Sequence, residues 1–91
     1  MAVEVRIPIA FRRFVDGKNF IECKSGKVFE ILREIGSKYP EFTKKIFDDK
    51  ENLKVYIDLL VDGQNIRQLQ DVNTIVKDGQ KVTLFLAVGG G

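Results

Sequence analysis

Lys81-Val82-Thr83-Leu84-Phe85-Leu86-Ala87-Val88-Gly89-Gly90-Gly91 is the stretch that decides the reading of this 91-residue chain. Val82, Leu84 and Leu86 alternate with Thr83, Phe85 and Ala87, the period of a strand with one buried face. The stretch then closes on three consecutive glycines. Glycine averages about 7% of residues, so three at a set place arise by chance about 3 times in 10,000. With no Cβ to restrict φ and ψ, such a run builds no core and caps no helix. It makes a thin thread that can enter a narrow tunnel on another protein and present a terminal carboxylate there. The competing reading is a plain disordered end.

Outward from this strand, Asp78-Gly79 is a turn signal, and Asp71 to Val76 reads as turn-like with two buried anchors. Leu53 to Val61 predicts a strand with Val55, Ile57, Leu59 and Val61 on one face. Asp62-Gly63 turns the chain, and Gln64 to Arg67 pairs back as a short strand. Val28, Ile31, Leu32, Ile35 and Tyr39 recur at helical spacing. They form one stripe widened by Phe29, with Glu30, Arg33, Glu34 and Lys38 toward water. Ser25 is the expected N-cap, and Pro40 the expected stop. Phe42 to Phe47 predicts a short helical turn, and Asp48 to Asn52 a polar loop. At the other end, Val3, Val5, Ile7, Ile9 and Phe11 alternate with Glu4, Arg6, Pro8 and Ala10. Pro8 donates no ladder hydrogen bond, so pairing is expected to lapse there. Asp16-Gly17 is a hairpin signal, and Asn19 to Cys23 returns as a strand.

Hairpin, helix, strand, turn, strand is an α+β order. It predicts a mixed sheet of four to five strands with one main helix across one face. Residues 1–86 form the domain and residues 87–91 a flexible tail.

Composition removes several function classes. Net charge is +2, from 15 basic and 13 acidic residues, too balanced for a surface that tracks nucleic-acid phosphates. Lys44-Lys45 is followed at once by Asp48, Asp49 and Glu51, so it reads as a solvated mixed-charge segment. There are no histidines, which removes Ser-His and Cys-His nucleophilic catalysis and His-based metal sites. Cys23 is the single cysteine, so no internal disulfide forms. No apolar run approaches the ~20 residues that span a bilayer. No signal peptide is visible at Met1 to Arg6, and a free thiol without one points to the cytoplasm.

The ordered set of features resembles the β-grasp, or ubiquitin-like, pattern. Within it the chain is similar to the prokaryotic sulfur carriers: the molybdopterin synthase small subunit, the thiamine sulfur carrier and the cysteine-synthesis carrier. The matching pieces are Val5-Arg6-Ile7-Pro8, Tyr39-Pro40, Leu60 to Arg67, Lys77 to Val82, and Ala87-Val88-Gly89-Gly90-Gly91. The family often ends Pro-Ala-Val-Ala-Gly-Gly; here Leu86 and Gly89 stand where that proline and second alanine would be.

The resemblance implies that the chain has no active site of its own. An E1-like adenylating enzyme would use ATP to activate the Gly91 carboxylate. Sulfide or a persulfide would then displace AMP to leave a thiocarboxylate. A sulfur-acceptor enzyme, a molybdopterin synthase large subunit or a cysteine synthase, would receive the sulfur; thiamine synthesis fits less well. Gly90 and Gly91 keep the thread free of side chains, and Gly89 is a spacer. The alternative endings are an isopeptide bond to a partner lysine, or a non-covalent binding module. No bound cofactor, metal, nucleic-acid partner or membrane is expected, and the free chain is expected to be a monomer.

Partner recognition is expected on the sheet face away from the helix. If Val82, Leu84 and Leu86 meet the helix, Phe85 lies on the open face with Tyr56, Asp58 and Leu60. Phe85 and Leu60 would form an apolar patch of the kind that marks interaction sites. A covering loop or reversed faces would remove it. Arg67 matches the family, and contact with water alone is an equal reading. Cys23 is expected to pack in the core rather than carry a persulfide.

Overall fold

The computed structural model describes residues 2–87. Five strands form the main sheet, in the order β2-β1-β7-β4-β5: β1 (Val3–Arg6), β2 (Phe20–Cys23), β4 (Ile57–Val61), β5 (Gln64–Asn65) and β7 (Lys81–Leu86). β1 runs parallel to β7, and every other pairing in the sheet is antiparallel. The first and last strands therefore lie side by side at the centre, the β-grasp arrangement. Two short strands, β3 (Gly26–Lys27) and β6 (Ile75–Val76), pair separately. The helices are α1 (Val28–Lys38) and α2 (Pro40–Ile46).

One alternation set from each central strand faces the helices. Val3, Val5 and Ile7, Ile57, Leu59 and Val61, and Val82 and Leu84 are all buried. They meet Val28, Ile31, Leu32 and Ile35 of α1, and Phe42 and Ile46 of α2, in one core. Gly36 lies where the two helices approach: a Cβ there would collide with the Thr43 hydroxyl.

Several sequence expectations need correction. The first strand ends at Arg6 rather than running through Phe11. Beyond Pro8 the chain coils into a 3-10 helix, Ile9–Phe14, closed by the Phe11 N–H donating to the Pro8 carbonyl (2.9 Å). This leaves Ile9 79% exposed and not in the core. Ser25 does not cap α1. Gly26 and Lys27 are drawn into β3, and the Lys27 N–H donates to Glu30 Oε1 (2.9 Å) while the Val28 N–H donates to the Thr74 carbonyl. Pro40 ends α1 and also opens α2, because its fixed φ and missing N–H suit the first helical position.

The strand expected from Leu53 begins only at Ile57. The Ile57 N–H bonds back to the Lys54 carbonyl (2.9 Å), which makes a turn with Val55 and Tyr56 at its apex. Val55, expected in the core, is 87% exposed. The fourth strand stops at Asn65 and passes into a 3-10 turn. Of the anchors expected between Asp71 and Val76, Val76 is buried and Ile75 exposed.

The turn between β4 and β5 is held to the start of β7. Asp62 and Gly63 both have positive φ (48° and 86°), as a tight hairpin turn requires. The Asp62 carboxylate accepts the Lys81 N–H (2.9 Å) and Gln80 Nε2 (3.1 Å). These bonds, the Lys81 N–H foremost, lower the Asp62 pKa below the usual carboxylate range. A depressed folded pKa adds stability in full above the unfolded value, about 3.9 for Asp, and loses it as pH falls through the folded value. Urea midpoints at neutral and acid pH should therefore drop less for Asp62→Asn than for the wild-type chain. Equal drops would remove the clamp.

Candidate functional site

Three strands converge where the chain approaches its glycines. β7 lies between β1 and β4, and its partners in β4 are Leu86 to Ile57, Phe85 to Asp58, Leu84 to Leu59 and Thr83 to Leu60. The Ala87 N–H donates to the Tyr56 carbonyl (2.7 Å), extending this ladder one residue past Leu86. Central strands paired on both sides are the stiffest support a sheet offers, so Ala87 is a fixed point of departure. The expected reactive positions, Gly91 with Gly90 and Gly89, lie outside the described residues, as does Val88.

The register places Phe85, Asp58 and Leu60 on the sheet face opposite α1, with Tyr56 just before them. Leu60 and Phe85 are half-buried and Tyr56 is 44% exposed. Between them lies a polar cluster that sequence reasoning did not assemble. Asp58 is only 8% exposed. Its Oδ1 accepts the Leu59 N–H (3.0 Å), and its Oδ2 accepts Asn65 Nδ2 (3.0 Å) and faces Arg67 Nε (3.4 Å). A buried carboxylate needs such partners, since an unpaired charge away from water is costly. The available signal was hairpin register. The Asp62-Gly63 turn sets Asn65 opposite Leu60, two residues from Asp58 on the same face.

Arg67 is thus engaged within the chain. Besides Asp58, its Nη2 donates to the Val55 carbonyl (3.3 Å). It ties the Val55–Asp58 segment, which carries the Tyr56 carbonyl that receives Ala87. Half of its side chain remains exposed, but its visible work is to position that segment.

Cys23 is buried on the core side of β2. Burial, helped by the nearby Glu34 charge, pushes its thiol up to about 12. It therefore stays protonated at neutral pH and is a poor sulfur nucleophile. Among the described residues, no group of three or more His, Cys, Asp or Glu is placed to hold a metal ion. No helix among them is long and apolar enough to cross a membrane.

The described end of the chain is a braced central strand, held by β1, β4 and the Ala87 bond. The model of the ThiS family matches residues 5–91, the glycines included. The chain belongs to the ThiS family. Small archaeal modifier protein 3 of Haloferax volcanii is 27% identical over 93 residues, with all of both chains covered. The sulfur carrier protein CysO of Mycobacterium bovis is 23% identical over 93 residues, again with full coverage. A chain in the crystal structure of the Amycolatopsis orientalis BexX/CysO complex superposes with a TM-score of 0.89 at 30% identity, covering 99% of this chain and 100% of that one. This ThiS-family chain is therefore a β-grasp member of the group that includes sulfur carriers and ubiquitin-like modifiers.

Proposed function

We propose that this chain is a sulfur carrier that cycles between carboxylate and thiocarboxylate at Gly91, acting as a protein substrate and not as a catalyst. The observation that carries the reading is the family match running through Gly89-Gly90-Gly91, on a body whose central strand leads directly into them.

The chemistry follows from the carboxylate. It is negatively charged and resonance-stabilised, hence a poor electrophile. A carboxylate oxygen of Gly91 attacks the α-phosphorus of ATP on an E1-like enzyme. Pyrophosphate leaves and a mixed acyl-adenylate forms. Hydrosulfide then adds to the acyl carbon and AMP departs with the bonding pair, leaving –COSH, which gives up its proton to water to become –COS⁻. If a persulfide brings the sulfur, the product is first an acyl disulfide, and a thiolate must reduce its S–S bond to release the thiocarboxylate. The acceptor enzyme uses this soft nucleophile in molybdopterin or cysteine synthesis. ATP is consumed by the partner; the carrier holds no cofactor and works in the cytoplasm. A first test is ATP–pyrophosphate exchange with the cognate activating enzyme. Exchange should require this chain and vanish when Gly91 is removed; exchange that ignores the tail would overturn the reading.

The Haloferax relative, named a modifier protein, supports a second ending. The same adenylate can pass to a lysine amine, giving an isopeptide bond and AMP. Tryptic peptides carrying the Val82–Gly91 remnant on lysine, since Lys81 is the last basic residue, dependent on this chain's expression, would select that ending over sulfur transfer.

A further inference from the structure

The described residues include six large hydrophobic side chains that are clearly exposed, and their distribution is uneven. β1 and β7 are parallel neighbours, so the chain leaves both at the same end of the sheet. β4 and β2 are antiparallel to them, so both begin at that end. Ile9 (79% exposed) follows β1, Val55 (87%) and Tyr56 (44%) precede β4, and Phe20 (48%) opens β2. Four of the six therefore crowd the end from which Ala87 leads to the glycines. The other two, Leu69 and Ile75, line a separate shallow hollow.

We propose that Ile9 on one side of the departing chain, and Val55 with Tyr56 on the other, form an apolar collar on which the activating enzyme closes when it takes the tail. The inference rests on the carrier reading above and names the contact that reading requires. The reach of the tail limits where the enzyme can sit. Four residues, 88–91, separate Ala87 from the terminal carboxylate, and an extended chain spans at most ~3.6 Å per residue, or ~14 Å in all. An enzyme that brings ATP to that carbon must bring its tunnel mouth at least that close to the sheet end. The strands carrying the collar flank β7 at ~4.8 Å on either side, so they fall under the tunnel's rim.

Exposed aliphatic side chains gain little in water and contribute on burial, whereas a charge in their place would be stranded in the contact. Val55 also borders a cleft of about 290 Å³ with a mixed lining, Phe29, Phe47 and Val72 beside Glu51, Asp58 and Asp71. Arg67, donating to the Val55 carbonyl, holds this lip of the cleft in place.

The test is the exchange assay run at varied carrier concentration, with Ile9→Glu and Val55→Glu as probes and Ile75→Glu as the control. Both collar variants should raise KM about tenfold with kcat within about twofold, the pattern of lost binding rather than lost chemistry. Ile75→Glu should behave as wild type. Thermal melts confirm folding, and Val55→Ala, which adds no charge, should give a smaller rise in KM. Wild-type kinetics in both collar variants, or an equal rise for Ile75→Glu, would overturn the collar and leave the carrier reading intact. Absence of exchange with the wild-type chain would overturn both.

Discussion

Removing Gly90 and Gly91 should abolish adenylation and sulfur loading while leaving the melting temperature of the body where it was. Every core side chain described lies at or before Leu86, and the last ladder bond described is made by Ala87 to Tyr56. Truncation after Gly89 keeps all of these. Yet it shifts the carboxylate back by two residues, ~7 Å of extended chain. An in-line attack on a bound nucleotide fails at displacements far smaller than that, because positioning within about 1 Å already governs such rates. Thermal melts and exchange assays on the same preparation check both halves. Retained loading, or a marked drop in melting temperature, would contradict this account.

Phe42→Ala should do the opposite. Phe42 is the largest fully buried side chain among the described residues. Pro40 at the first position of α2 sets Phe42 and Ile46 one turn apart, both inward. Truncating a buried phenylalanine costs about 3–5 kcal/mol, from lost transfer energy and the cavity left behind. That is a large share of the 5–15 kcal/mol typical of a domain. A domain of this size moves roughly 4–8 °C per kcal/mol, so a fall of about 12 °C or more is expected. Loading measured well below the transition should persist, because Phe42 lies wholly within the core and is no part of the tail. The two variants separate the body, which holds the shape, from the tail, to which the carrier reading assigns the chemistry.

The sheet and its central strand were readable because their signals are local. Val82, Leu84 and Leu86, Ile57, Leu59 and Val61, and Val3, Val5 and Ile7 alternate cleanly, and the helix stripe from Val28 to Ile35 has one period. What escaped were events decided by pairing at a distance. Val55 has the same alternation as Ile57, but a turn from Lys54 to Ile57 lifts it out of the core. Ser25 looks like a cap, but pairing of Gly26 and Lys27 with Ile75 and Val76 starts the helix later. Ile9 fits a strand pattern until Pro8 removes the donor that would continue it.

The same distinction runs through the site. Phe85 and Leu60 could be placed on one face by counting, but Asp58 between them, satisfied by Asn65 and Arg67, depends on hairpin register. Arg67 could be singled out in the sequence; its bond to the Val55 carbonyl could not. The placement of Ile9 and Val55 was invisible for a related reason: they come to the end of β7 only when the parallel and antiparallel pairings are known.

The central claim is that the reactive atom group is the carboxylate of Gly91, and intact-mass spectrometry tests it most directly. The full chain is incubated with its activating enzyme, ATP and a sulfur source, then weighed. The account predicts a gain equal to one oxygen replaced by one sulfur, confined to the C-terminal fragment and absent without ATP. An unchanged mass under conditions that support pyrophosphate exchange would contradict it.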